Sequence, residues 1–262
     1  MATPRVLVLS FCHTRNFGDR LGFHLLNAVL PPDAETVFQP MSPFRKPPHD
    51  SWDLVIVGIG NSLNPSNAKV LYDPLMRLFD TSRHVVGISG TQYRELFVEE
   101  RLIGLLGRFD HWYARYGDDL ALYGGHARKA SHLGDWLIDA FPLTRPTRDS
   151  LLRLEADVMT KRHPLDWLIR AIQAHRHVFS PRLHTLLCAL CSAERVAYVE
   201  QFEDDEHPEV ASGKFNSMLQ DIFGRSYAQR DLFTVDRDAV IAYRRFVRGN
   251  IGRLRSDIGE LI

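Results

Sequence analysis

The sequence predicts an α/β protein with parallel sheets, on three observations. Short β-rich runs alternate with helix-like stretches along the first half and again along the second, the pattern of a parallel sheet covered by helices. Polar, glycine-bearing segments follow the strand-like runs, where open α/β sheets bind ligands. Pro142 and Pro146, set among polar residues, mark a linker. The chain therefore divides into a first lobe over 1–141, a shorter second lobe over 142–234, and a tail over 235–262.

The elements follow in order. Val6–Ser10 reads as a strand and is followed by a helix from about Asp19 to Leu30. Leu54–Val57 is a strand, with a helix from about Asn67 to Phe79 after it. His84–Ile88 is a third strand, followed by a helix from about Arg94 to Leu106 and the run His111–Tyr113. Beyond the linker come a helix near Leu165–Ala174, the strand Val178–Phe179, a helix from Arg182, the strand Val196–Val199 and a helix from about Lys214 to Phe223. Glu203-Asp204-Asp205-Glu206 reads as a solvated loop. In the tail, Val240, Tyr243, Val247, Ile251, Leu254, Ile258 and Leu261 recur at spacings of three and four, which predicts an amphipathic helix packing its apolar stripe on the body of the protein.

Composition narrows the function. The 262 residues are 45% hydrophobic and 24% charged, and 32 basic residues balance 32 acidic ones. No bulk charge draws such a chain to nucleic acid or to an anionic membrane, so an anion site must be local. Met1 to Arg5 lead straight into a strand without the pattern of a signal peptide, no run has the length of a membrane span, and three cysteines suit a reducing compartment. A cytoplasmic protein is expected, with membrane association at most peripheral. Cys188 and Cys191 lie among leucines with no second pair of ligands, so they read as core residues rather than a zinc site.

The segment Val178-Phe179-Ser180-Pro181-Arg182-Leu183-His184 carries the most chemistry. It reads as a strand breaking into a helix, with Pro181 in the first helical turn, where its missing N–H costs nothing. The free N–H groups of that turn favour an anion. Arg182 adds a bidentate fork and His184 a side chain that carries a proton near neutral pH. Three further polar loops follow strands: Phe11 to Arg20, with Asn16, Gly18 and Asp19; Gly58-Ile59-Gly60-Asn61-Ser62; and Gly87-Ile88-Ser89-Gly90-Thr91. Asp19 is equally a helix cap. Neither glycine pair is a dinucleotide fingerprint, since the third glycine is missing. Arg115 precedes the acidic helix start Asp118-Asp119, and His132-Leu133-Gly134-Asp135 places an acid and an imidazole at another loop.

Taken in order, these pieces resemble the polysaccharide pyruvyl transferase family. The matching residues are Asn16-x-Gly18-Asp19, Gly58-Ile59-Gly60, Gly87-Ile88-Ser89-Gly90, Arg115, His132-x-Gly134-Asp135, and Arg182-Leu183-His184 with Lys214 further on. The resemblance covers about Arg5 to Phe223. It implies a fold like two-domain GT-B glycosyltransferases, with two Rossmann-like lobes, the second reduced here because the stretch from Pro142 to Val178 is short. It also implies transfer of a pyruvyl group from phosphoenolpyruvate onto two hydroxyls of a sugar or lipid-linked oligosaccharide acceptor, as a ketal, without cofactor or metal. Arg182, Leu183 and His184, with Arg115, are then expected at the donor. His184, Asp19 and Asp135 are the catalytic candidates. Asn16, Gly18, Gly58, Gly60, Asn61, Ser89, Gly90 and Lys214 complete the substrate-binding set. Two other functions fit the same fold: a nucleotide-sugar-dependent glycosyltransferase, and a shortened, non-catalytic protein that binds an anion or glycan.

Overall fold

The computed structural model of the chain describes residues 3–11, 15–156, 158–202 and 209–262. The acidic stretch 203–206 and residues 12–14 of the first polar loop lie outside them. Among the described residues the chain forms two compact α/β units: one comprises 1–14, 23–134 and 250–262, the other 15–22 and 135–249.

The first unit holds a six-stranded parallel sheet in the order β2-β1-β3-β4-β5-β6: β1 (Arg5–Ser10), β2 (Glu35–Pro40), β3 (Trp52–Gly58), β4 (Ser82–Ser89), β5 (His111–Ala114) and β6 (Ala130–His132). The central strands carry apolar, buried stretches, as strands covered on both faces do. Val6, Val8, Leu54 and Ile56 are fully buried on one face, and Leu7, Leu9, Val55 and Val57 on the other. Each such side chain contributes roughly 1.5–3 kcal/mol by leaving water. The second of these faces packs on α2 (Pro65–Asp80) and α3 (Glu99–Leu106) through Leu71, Leu75, Leu102 and Leu105. Helix α2 starts where Asn64 Oδ1 accepts the N–H of Asn67 at 2.8 Å, with Pro65 in its first turn.

The helix expected over Arg94–Leu106 is split. Arg94–Leu96 forms a single 3-10 turn behind Tyr93, which holds a left-handed backbone, Phe97 is extended, and α3 begins only at Glu99. The cause is tertiary: the Arg94 guanidinium reaches Asp118 at 2.8 and 2.9 Å and Thr91 Oγ1 at 2.8 Å, anchoring that turn. Two further elements of this unit are the edge strand β2, paired only with β1, and α4 (Gly117–Tyr123).

The second unit holds a four-stranded sheet, β10-β9-β8-β7. Strands β7 (Arg148–Arg153), β8 (His175–Ser180) and β9 (Arg195–Tyr198) are parallel, and β10 (Phe233–Thr234) is antiparallel. Helices α5 (Leu165–Gln173) and α6 (Leu183–Leu190) connect β7-β8-β9 and pack on each other, as crossovers of one hand between successive parallel strands require. Val178, Ser180, Val196 and Tyr198 are buried on one face, and Tyr198 stacks on Phe215 of α7 (Lys214–Phe223). His175, His177 and Phe179 alternate onto the other face and are only half-buried. β7 supplies a strand within the stretch that read as too short.

The boundary between units falls at 134/135, ahead of the Pro142 linker. Residues 135–141 belong with the second unit because Phe141 packs on Phe17 at 6.1 Å and Asp139 Oδ1 accepts from Arg248 at 2.8 Å. The tail is one helix, α8 (Arg237–Leu261), capped by Asp236 Oδ1, which accepts the N–H groups of Asp238 and Ala239. It counts with the second unit to Gly249 and with the first from Asn250. Val240, Val247, Leu254 and Ile258 are fully buried. In the second unit the Tyr243 hydroxyl accepts the Asp135 N–H at 2.7 Å; in the first, Asn250 donates to the carbonyl of His132 at 2.8 Å and Asp257 accepts from Tyr113. No helix among the described residues is long and apolar enough to cross a membrane.

Candidate functional site

The sequence-selected residues fall into two clusters, one in each unit. In the second unit, Asn16 stands ahead of α1 (Phe17–Val29) and its Oδ1 accepts the N–H groups of Gly18 at 2.9 Å and Asp19 at 3.2 Å. The same oxygen lies 3.1 Å from His184 Nδ1. Since Asn16 Oδ1 only accepts, His184 Nδ1 is the donor in this contact. Gly18 is glycine for a specific reason: a Cβ there would sit 2.0 Å from His184 Nδ1. The Phe17 ring meets the imidazole edge-on at 6.2 Å. Asp19 occupies the first turn of α1, where its charge complements the helix dipole.

Arg182 is two residues before His184, at the cap of α6, with extended backbone angles. Its N–H donates to Ser180 Oγ at 3.0 Å, and Ser180 Oγ donates to Leu154 O at 2.6 Å. This local bond holds the chain extended, so the helix starts at Leu183 and Pro181 precedes it instead of occupying its first turn. The Arg182 Nε donates to Glu155 O at 2.9 Å; its terminal nitrogens have no partner among the described residues. Leu183 is 4% exposed, a core side chain. Asp135 is fully buried, and its N–H is held by Tyr243. Lys214 opens α7 and donates to Gln201 Oε1.

In the first unit the two glycine loops are bonded to each other. Gly90 N donates to Gly60 O at 3.0 Å, Leu63 N to Gly90 O at 3.3 Å and Ile59 N to Ile88 O at 2.6 Å. Gly58 has φ +112, and a Cβ there would meet Ile88 O at 2.5 Å. At Gly90 a Cβ would meet Asn61 Oδ1 at 2.6 Å and Arg115 Cβ at 3.0 Å. These glycines therefore serve close packing of loop on loop. Ser89 is likewise structural, since its carbonyl and hydroxyl accept the buried Trp112 indole N–H at 3.1 and 3.2 Å. Asn61 Nδ2 donates to the Tyr116 hydroxyl at 3.1 Å, and Arg115, 3% exposed, lies 5.7 Å from the centre of the Tyr116 ring. Asn61, Gly90 and Arg115 thus gather around Tyr116.

Two groupings escaped the sequence reading. Glu200 follows β9, is 7% exposed, and accepts from Ser212 Oγ and from Gln201 N at 3.3 Å. Burial pushes its carboxyl up, against the pull of these bonds and of Lys214. Its position after an apolar strand was a usable signal. The other is Asp119, fully buried at the start of α4, which accepts from Thr91 N at 2.9 Å and Arg94 Nη2 at 2.5 Å. Burial raises its pKa from 3.8 to about 6, although Arg94 and Thr91 pull it down. Folding therefore takes up a proton between these two values. The stability Asp119 contributes is complete below 3.8 and is lost as the pH rises through about 6, a difference on the order of 3 kcal/mol. We expect Asp119→Asn to flatten the dependence of unfolding free energy on pH across that window, measured by denaturant titration; an unchanged slope would assign the dependence to other groups.

No group of three or more His, Cys, Asp or Glu able to hold a metal occurs among the described residues. Cys188 and Cys191 are fully buried free thiols, and burial pushes the Cys191 thiol up to about 12. No protein-family model matches the chain, and neither does any curated protein. Among solved structures, an uncharacterised protein of Klebsiella pneumoniae subsp. pneumoniae NTUH-K2044 is similar, with a TM-score of 0.49 and 11% identity over 83% of this chain and 88% of that one.

Proposed function

We propose that this chain is a cytoplasmic pyruvyltransferase that moves the pyruvyl group of phosphoenolpyruvate onto a sugar of a cell-surface polysaccharide precursor as a ketal. In this reading the two α/β units correspond to the Rossmann-like halves of a GT-B-like fold, the four-stranded one reduced. The observation that carries it is the Asn16 to His184 contact at 3.1 Å, which orients the imidazole two residues from a half-buried arginine. Such a pairing supplies a proton carrier beside an anion anchor.

The chemistry asks for both. A proton is delivered to the methylene carbon of the enol while a sugar hydroxyl adds to C2 and gives up its own proton to a base. The second hydroxyl then attacks C2, the bond from C2 to the phosphate oxygen breaks, and inorganic phosphate leaves, taking up the proton of that hydroxyl as the ring closes. His184 carries one of these protons, with Asp19 or Asp135 as partner, and Arg182 holds the donor's phosphate or carboxylate. An acceptor carried on a lipid would bring the protein to a membrane peripherally.

A thermal-shift comparison tests the donor. Phosphoenolpyruvate is expected to raise the melting temperature, and phosphate release is expected once a suitable sugar acceptor is added. Stabilisation by nucleotide sugars alone would replace this reading with a glycosyltransferase. Donor binding without phosphate release for any acceptor would favour a non-catalytic anion-binding protein.

A further inference from the structure

The second unit carries a groove that the donor chemistry does not use. It encloses about 580 Å³ and is lined by Arg153, Glu155, Phe179, Pro181, Val199 and Arg230, a volume in the range of small-ligand sites. It opens at the carboxyl ends of the parallel strands β7, β8 and β9, on the sheet face away from α5 and α6. Ligands of α/β sheets bind outside those strand ends.

The arginines decide its chemistry. Two other arginines of this sheet are engaged: Arg176 pairs with Glu194 at 2.7 Å and Asp149 at 3.3 Å, and Arg195 donates to Leu232 O at 2.9 Å. Arg153 and Arg230 have no carboxylate or carbonyl partner among the described residues. Arg153 rests over the Phe179 ring at 5.3 Å, so its stem is packed while its donors stay available. Arg230 has φ +68, a left-handed conformation, fixed by the bond of its N–H to Tyr198 O at 2.7 Å. A long side chain at such a position carries a strain that glycine would relieve, and strain of this kind collects at ligand sites.

We propose that this groove binds a phosphorylated sugar. Arg153 and Arg230 hold the phosphate through charge-assisted bonds. The Glu155 carboxylate accepts from sugar hydroxyls, and Phe179 with Pro181 receives the apolar side of the ring. The site is distinct from the one at Arg182 and His184 and does not depend on pyruvyl transfer, although Glu155 touches both through the bond of its carbonyl to Arg182. Two sources supply this chemistry, a glycosyl phosphate and a nucleotide.

Calorimetry of the full chain with glucose 1-phosphate, uridine diphosphate and inorganic phosphate tests it. At least one of the first two is expected to bind more tightly than inorganic phosphate, and which one does so identifies the source. Arg153→Ala and Arg230→Gly are each expected to weaken that binding about tenfold or more, with phosphoenolpyruvate binding unchanged. Arg230→Gly is expected to keep or raise the melting temperature, since it releases the left-handed strain. Binding of neither sugar-phosphate probe by the parent protein, or binding at parental strength by both variants, would overturn the proposal.

Discussion

Replacing Gly58 by alanine is expected to cost on the order of 3 kcal/mol or more of folding stability, enough to unfold much of a marginally stable chain. Two effects add. The backbone at φ +112 is one that side-chain-bearing residues rarely adopt, and the new Cβ would lie 2.5 Å from the carbonyl oxygen of Ile88 and 3.1 Å from its carbon. Those atoms belong to β4, paired in register with β3 from Leu54–His84 to Gly58–Ile88, so they cannot give way as a flexible side-chain tip would. Gly125→Ala is the control, because a Cβ there meets nothing within 4 Å; it should change stability by less than about 0.5 kcal/mol. Guanidinium unfolding of both variants checks the contrast, and a Gly58→Ala protein as stable as the parent would show that the strand ends rearrange.

The other large effect is expected at the proposed donor cluster, where anchoring and chemistry should separate. Arg182→Ala removes a guanidinium whose terminal nitrogens are available to an anion, and should weaken phosphoenolpyruvate binding by about 1.5–3 kcal/mol, the worth of a charged hydrogen bond. His184→Ala should leave most of that binding and lower turnover roughly a hundredfold if the imidazole carries a proton. Gly18→Ala should resemble the histidine variant, because its Cβ would occupy the place of Nδ1, 2.0 Å away, and drive the ring off Asn16. Donor affinity by calorimetry and phosphate release with sugar acceptors read the two quantities. Unaltered affinity in Arg182→Ala would move the anion site elsewhere, and unaltered turnover in His184→Ala would remove the imidazole from the reaction.

Local pattern sufficed for some of this protein. β1, β3 and β4 each contain a run of apolar residues, and α7 and α8 carry their burial in periodic side chains, so each was legible from a few neighbouring residues. The two segments that meet at His184, Asn16-x-Gly18-Asp19 and Arg182-Leu183-His184, stood out because polar residues and glycine interrupt those runs at strand ends. Edge strands were not. β2 is largely half-buried rather than buried, β7 reads Arg-Asp-Ser-Leu-Leu-Arg with mostly exposed side chains, and a strand held mainly by one neighbour's backbone bonds needs no apolar run.

Tertiary structure alone decided what the selected residues do. The bond between Asn16 and His184 spans 168 positions, and no local signal encodes it. Arg94 broke an expected helix because its partners, Asp118 and Asp119, lie on a different element. Gly58 and Gly90 looked like a ligand cradle, but the space they leave is filled by Ile88 O and Asn61 Oδ1. A sequence records that a position lacks a side chain; only the packed chain shows which atom occupies the room that glycine leaves.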